Sequence, residues 1–83
     1  MSVALDVGRI AQERIGPDAV GKVVTVALEV GSDAGVELES LEFCLNVVLS
    51  QPPFLQARAV IERRPGDVLR VAYLEVDDGD SND

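Results

Sequence analysis

The run LEVGSDAGVELESLEFCLNVVL, residues 28–49, joins the end of one regular element to almost the whole of another. Its first residues complete the alternating segment KVVTVALEVG, residues 22–31, whose β-branched content predicts a strand. The residues that share one face of that strand are Val24, Val26, Leu28 and Val30. Over residues 37–51 the apolar positions recur every three or four residues, which predicts an amphipathic helix ended by Pro52-Pro53. The apolar face of this helix consists of Leu38, Leu41, Leu45 and Val48.

A first helix is predicted before this run, in SVALDVGRIAQERI, residues 2–15, with Ser2 as N-cap and Gly16-Pro17 as its end. Its apolar face consists of Val3, Val7, Ile10 and Ala11. Gly8 interrupts the helix interior, and we expect it to allow close packing against a neighbouring element.

Two further strands are predicted after the run, in LQARAVIER, residues 55–63, and VLRVAYLEV, residues 68–76. The residues between them, Arg64-Pro65-Gly66-Asp67, are typical of a tight turn, because proline fixes φ and glycine accepts a positive φ. We therefore expect a hairpin. The fold class that follows is α+β: two layers, with a three-stranded mixed sheet and two helices on one face, in the order α-β-α-β-β.

Residues 1–76 are predicted to form a single domain, and residues 77–83 a disordered acidic tail. The tail sequence DDGDSND has no apolar residue, and four of the chain's 15 acids are Asp77, Asp78, Asp80 and Asp83. A calcium loop is the weaker interpretation, because the glutamate that would close an EF-hand is missing. The net charge of −8 argues against nucleic-acid and membrane-surface partners. No apolar run is long enough to span a bilayer, and a single cysteine fits a cytoplasmic protein.

The strand–loop–helix run resembles the corresponding segment of the HypA/HybF nickel metallochaperones, which help to insert nickel into [NiFe]-hydrogenases and, in some organisms, urease. SVALDVGRIAQERIG is similar to the first helix of that family, ARAVIERRP to its third strand and LRVAYLEVDD to its closing strand. The resemblance covers most of the chain outside the acidic tail.

Two metal sites of that family have no counterpart in this sequence. Members of the family begin Met-His-Glu and hold nickel there, whereas Met1 is followed here by Ser2-Val3. Their zinc module, with two Cys-x-x-Cys pairs, stands where this chain has only residues 64–67. The chain has no histidine and one cysteine, so we expect no tight nickel or zinc site and no cofactor. The alternative is a weak nickel site at the amine of Ser2, freed by removal of Met1.

The resemblance implies a non-catalytic accessory protein of hydrogenase maturation that acts through protein contacts. The implied partners are a hydrogenase large subunit, the GTPase of the pathway or a full-length metallochaperone. Self-association into a homodimer through a sheet face or edge is a further expectation. The sequence shows no nucleophile–base pair or phosphate loop, which argues against an enzyme.

Several charged or reactive residues have two interpretations each. The arginines near the predicted hairpin either form a basic rim that binds an acidic partner or pair across strands with Glu62 and Glu75; they are Arg58, Arg63, Arg64 and Arg70. Cys44 is expected to be a buried small hydrophobe, and an exposed, usable thiol is the alternative. The acids at the start of the second helix complement the helix dipole; they are Glu37, Glu39 and Glu42.

Overall fold

A computed structural model describes residues 3–77. Its elements, in chain order, are α1 (Val3–Ile15), a short 3-10 turn (Val20–Lys22), β1 (Val23–Gly31), α2 (Leu38–Leu49), β2 (Arg58–Arg64) and β3 (Leu69–Val76). α1 packs against α2 and β3, and α2 packs against β2, so both helices lie on one face of the sheet. The predicted α+β class and the element order are confirmed.

The sheet has the strand order β2-β1-β3, with β1 parallel to β2 and antiparallel to β3. The predicted mixed sheet is therefore present, but the predicted hairpin between the last two strands is wrong. β2 and β3 are not neighbours, because β1 lies between them. The Pro-Gly turn reverses the chain as its sequence indicates, yet it carries the chain across the end of β1 to the far side.

This crossing connection is fastened to the end of β1. Its three backbone hydrogen bonds run from Gly31 N to Val68 O at 2.6 Å, from Ser32 N to Arg64 O at 2.9 Å and from Asp33 N to Gly66 O at 2.6 Å. Gly31 is essential to the approach, because a Cβ added there would lie 2.7 Å from Val68 N and would also overlap the backbone of Gly66. The start of the loop after β1 is thus bonded to the connection between β2 and β3.

One apolar core fills the space between the helices and the sheet. Its largest fully buried side chains are Phe54, Leu28, Leu45, Leu49, Val23, Val26 and Val30. No charged or polar residue among residues 3–77 is buried. Aliphatic side chains make up the rest of this core, and Phe54 is its one aromatic member.

α1 buries a face that is rotated slightly from the predicted one. Ala4, Val7, Gly8 and Ala11 are buried, whereas Ile10 is 38% exposed, so its predicted place in the core is wrong. The rotation brings Gly8 against α2, where an added Cβ would lie 2.8 Å from Val48 Cγ1. Close packing at Gly8 is confirmed, and this approach explains why small residues dominate the buried face.

β1 deviates from simple alternation because its pairing with β3 contains two irregularities. Val23 pairs with Val76 and Thr25 with Glu75, so Val24 is an extra residue on β1. As a result Val23 joins the core and Val24 is only half-buried, against the predicted face. At the second shift, between Ala27 and Leu28, the extra residue is Ala72 on β3.

Two side chains and one backbone group tie the layers and ends together. Arg14 donates from Nη1 to the carbonyl of Val71 at 3.1 Å, and Asn46 Oδ1 accepts from the amide of Ala59 at 3.0 Å. The amide of Asp77 donates to the carbonyl of Lys22 at 2.8 Å, just after β3 ends. The rest of the predicted acidic tail, residues 78–83, lies outside the described residues, as does the proposed N-cap Ser2.

Candidate partner-binding site

The sheet face opposite the helices, called here the outer face, carries three cross-strand rows of side chains. The rows are Arg58–Thr25–Glu75, Val60–Ala27–Tyr73 and Glu62–Glu29–Arg70. In the middle row Ala27 is fully buried although it lies outside the core cluster, whereas Tyr73 is 42% and Val60 36% exposed. The outer face therefore presents an apolar row between two charged rows, with no helix over it among residues 3–77.

An ion cluster centred on Glu29 occupies one end of the outer face. Arg70 Nε donates to Glu29 Oε1 at 2.7 Å, and Arg64 Nε donates to Glu29 Oε2 at 3.3 Å. Arg64 also donates from Nη2 to Glu62 Oε1 at 3.2 Å. The hydrogen bond from Arg70, together with the charges of both arginines, holds the pKa of Glu29 below its ordinary value, against an opposing effect of burial.

The ion cluster predicts a pH-dependent contribution of Glu29 to stability. Because the pKa of Glu29 is lowered in the folded state, the contribution is present above the ordinary carboxyl pKa and is lost as the pH falls through the folded-state value. We expect Glu29→Gln to destabilise the protein at neutral pH and to matter less toward about pH 3. The measurement is the urea midpoint of both proteins across that range. Glu13→Gln, at an exposed pair on α1, is the control, and a constant Glu29→Gln difference at all pH values would contradict the assignment.

The four arginines singled out in the sequence do not form one surface. Arg64 and Arg70 are engaged by Glu29 on the outer face, and Arg58 lies at the opposite end of that face. Arg63 lines clefts on the helix side of β2, beside Leu38. Neither Arg58 nor Arg63 forms an ion pair with any acid among residues 3–77. Partner binding by these arginines stays a prediction, and the two on which it depends most are Arg58 and Arg63.

Sequence reasoning missed that Glu29 binds two arginines on the outer face. The signal was present, because Glu29 alternates with the core residues of β1 and so had to point away from the helices. Its partners could not be predicted from the sequence. Arg70 contacts Glu29 because β3 lies beside β1, and the strand order has no local signature. The acids at the start of α2 lie as predicted: Glu37 is the N-cap residue, accepting a bond from Ser40 at 2.8 Å, and Glu39 is in the first turn.

Cys44 is exposed on α2, so the expectation of a buried small hydrophobe is wrong. The buried residues of α2 are Leu41, Leu45 and Leu49, and a helical step of about 100° turns Cys44 away from that line. Its side chain lines a shallow cleft between the two helices, together with Val3, Ala4, Val36, Glu37, Ser40 and Leu41. The thiol is therefore accessible from solvent.

We expect Cys44 in the folded protein to react with a maleimide within about tenfold of the rate in denaturant, because exposure controls access to the thiol. The measurement is mass-spectrometric labelling over time, with Cys44→Ser as the blank. Labelling that waits for global unfolding would place the thiol in the core instead.

The described residues do not fit the zinc module that the resemblance implies. The connection between β2 and β3 offers one carboxylate, Asp67, and neither thiolate nor imidazole, whereas structural zinc takes four ligands of those kinds. Cys44, the one thiol, lies on a different element. Nowhere in the part of the chain that the structure describes do three histidine, cysteine or acidic side chains come close enough to hold an ion.

The fold and the outer face define a small two-layer α+β domain that presents an open, charged sheet. Neither a family model nor a solved structure matches the chain. Among curated proteins, hydrogenase maturation factor HypA of Azoarcus sp. (strain BH72) is 38% identical over 66 residues, which are 80% of this chain and 58% of that protein. The same factor of Albidiferax ferrireducens is 35% identical over 75 residues, 90% of this chain and 66% of that protein. That of Chlorobaculum parvum is 37% identical over 62 residues, 75% of this chain and 55% of that protein.

The chain belongs to the HypA family. It spans 55 to 66% of the length of these relatives. Within residues 3–77, neither helix has the length and apolar character needed to cross a membrane.

Proposed function

We propose that this chain is a non-catalytic accessory protein of [NiFe]-hydrogenase maturation that acts through protein–protein contacts, without a tight nickel or zinc site. The observation that carries the proposal is its kinship with hydrogenase maturation factors along most of its length, in a sequence with no histidine and one cysteine. Nickel held tightly in proteins is normally bound by imidazole or thiolate, and this sequence supplies one such group. A weak nickel carrier that uses the amine of Ser2 is the alternative.

The proposed partners are a hydrogenase large subunit, the GTPase of the pathway, a full-length metallochaperone and a second copy of the chain. The outer face supports a binding role, because an apolar row flanked by charged rows is typical of a surface that docks another protein. Arg58 has no ion pair among the described residues, so an acidic partner group could bind it without disrupting an internal contact. A cytoplasmic location belongs to the same proposal.

The test is binding of the purified chain to the purified large subunit and to the purified GTPase, measured by calorimetry in the presence of a chelator. We expect binding to at least one of them, weakened about tenfold or more by Arg58→Glu combined with Tyr73→Ala. Arg9→Glu on the exposed surface of α1 is the control and should leave binding unchanged. A full-length metallochaperone is measured in the same way, and absence of binding to all three proteins would overturn the proposal.

A further inference from the structure

β2 is an edge strand whose outward side has no neighbouring strand among residues 3–77. In a parallel pair, alternate residues of an edge strand direct their backbone groups toward the neighbour and away from it. The carbonyl of Arg64 accepts from Ser32 on the β1 side, whereas the amide of Ala59 donates to Asn46 on α2. The residues that point away from β1 are therefore Ala59, Ile61 and Arg63. Asn46 satisfies the first of their amides, and the alternation leaves those of Ile61 and Arg63 open.

A groove follows this open edge between β2 and α2. Three adjoining clefts form it: the first and second share Glu42, and the second and third share Leu38 and Arg63. Ile61 lies in the middle cleft, half-buried against the core. Glu42 and Arg63 are both exposed, and neither forms an ion pair within the part of the chain that the structure describes.

We propose that β2 pairs antiparallel with β2 of a second copy of the chain, with Ile61 opposite its counterpart, to form a continuous six-stranded sheet. In this register the amide of Ile61 donates to the carbonyl of Ile61 in the second copy, and the amide of Arg63 donates to the carbonyl of Ala59 there. Two-fold symmetry repeats both bonds, which gives four in total from the open amides. The pairing of Arg63 with Ala59 also brings the carbonyl of Arg63 to the amide of Ala59 in the second copy, where it replaces Asn46 Oδ1 as the acceptor.

The same register is complementary in charge. Arg63 of one copy comes opposite Ala59 of the other, and Ala59 lines the same cleft as Glu42. Each Arg63 therefore reaches a Glu42 that lacks an ion-pair partner in its own chain, and the dimer contains this pair twice. The two Ile61 side chains meet at the centre. An unrelated strand would need an apolar residue and an arginine two positions apart, as Ile61 and Arg63 are. A second copy provides this spacing by symmetry.

The dimer rests on the proposed function, because it is one of the protein contacts proposed there. The further inference assigns that contact to the edge of β2. Its test uses the purified chain alone, so a monomeric result removes this interface and leaves binding to the maturation proteins to its own experiment.

The experiment is sedimentation equilibrium of the full chain at physiological salt, up to about 0.5 mM, a range that reaches weak specific complexes. We expect a monomer–dimer equilibrium. Arg63→Glu and Glu42→Arg should each raise the dissociation constant about tenfold, and the double variant should restore it. Glu42→Arg is the more telling single change, because it lowers the net negative charge of each copy and yet should weaken the dimer. Asp18→Arg makes the same charge change on an exposed loop and should not weaken it.

Amide hydrogen exchange gives an independent measurement on the same samples. The amides of Ile61 and Arg63 should exchange more slowly as the concentration rises, while those of Val60 and Glu62, which face β1, should not change. A monomer at every concentration would overturn the proposal. A dimer would also overturn it if its dissociation constant were unchanged by Arg63→Glu and Glu42→Arg and its Ile61 and Arg63 amides were unprotected, since such a dimer would use another surface. A synthetic lysine-rich strand that protects these amides in a monomeric chain would reassign the edge to a basic peptide.

Discussion

Gly31→Ala is expected to destabilise the protein by about 3 kcal/mol or more, because the new methyl group meets backbone rather than a movable side chain. The added Cβ would lie 2.7 Å from Val68 N and would overlap the carbonyl of Gly66. Relief requires the crossing connection to move away from β1, which breaks the hydrogen bond from Gly31 to Val68. A chain of this size has about 4 to 12 kcal/mol of stability in total, so the substitution should remove at least about a quarter of it.

Two other glycines provide matched controls for this prediction. Gly66 has φ +89° with open space around its Cα, so Gly66→Ala should cost about 1 to 2 kcal/mol of left-handed strain alone. At Gly21 the nearest atom to an added Cβ is Leu55 Cδ1 at 3.7 Å, so Gly21→Ala should be nearly neutral. Urea unfolding followed by circular dichroism measures all three. A Gly31→Ala cost equal to that of Gly21→Ala would show that the connection does not press against β1.

Leu45→Ala is expected to cost about 2 to 5 kcal/mol, because it opens a cavity at a fully buried position of α2. The residue two positions earlier, Phe43, is larger but 70% exposed. Phe43→Ala should therefore change the free energy of unfolding by less than about 1 kcal/mol. The pair tests the orientation of α2 directly, since Phe43 and Leu45 are separated by about 200° around the helix axis and so lie on opposite sides of the helix. Equal costs for the two substitutions would contradict the orientation described here.

The periodicity of the sequence was sufficient to predict the two α-helices and the three strands of residues 3–77, but neither the 3-10 turn nor which strands are neighbours. The Pro-Gly turn at residues 65–66 has the same local signature whether it closes a hairpin or crosses a third strand. What distinguishes the two is Gly31, more than 30 residues away, whose close contact with Gly66 exists only in the crossing arrangement. Long-range contacts of this kind leave no local pattern.

The crossing connection between β2 and β3 is too short to contain a zinc module. A short turn connects β2 to β3 although β1 lies between them. The turn can lie across the end of β1 because three backbone hydrogen bonds hold it there and Gly31 has no side chain. The two strands did not have to be neighbours for the connection to be short.

The candidate site was only partly predictable for similar reasons. The alternation of β1 assigned Glu29 to the face away from the helices, yet its bonds to Arg64 and Arg70 depend on strand order. A small error in helix phase misplaced Ile10, which lies at the boundary of the apolar face of α1. Cys44 was misplaced for another reason, because its burial was inferred from residue type alone. The extra residue at Val24 shifted one end of β1, since a bulge depends on the pairing of two strands and not on one strand's sequence.

We propose that this member of the HypA family works through its surfaces and not as a tight metal carrier. Isothermal titration of the chain with nickel at neutral pH tests this proposal. We expect no site tighter than about micromolar, because the sequence offers a single thiol and no imidazole. One nickel ion bound per chain with a dissociation constant below about 0.1 micromolar would contradict the claim.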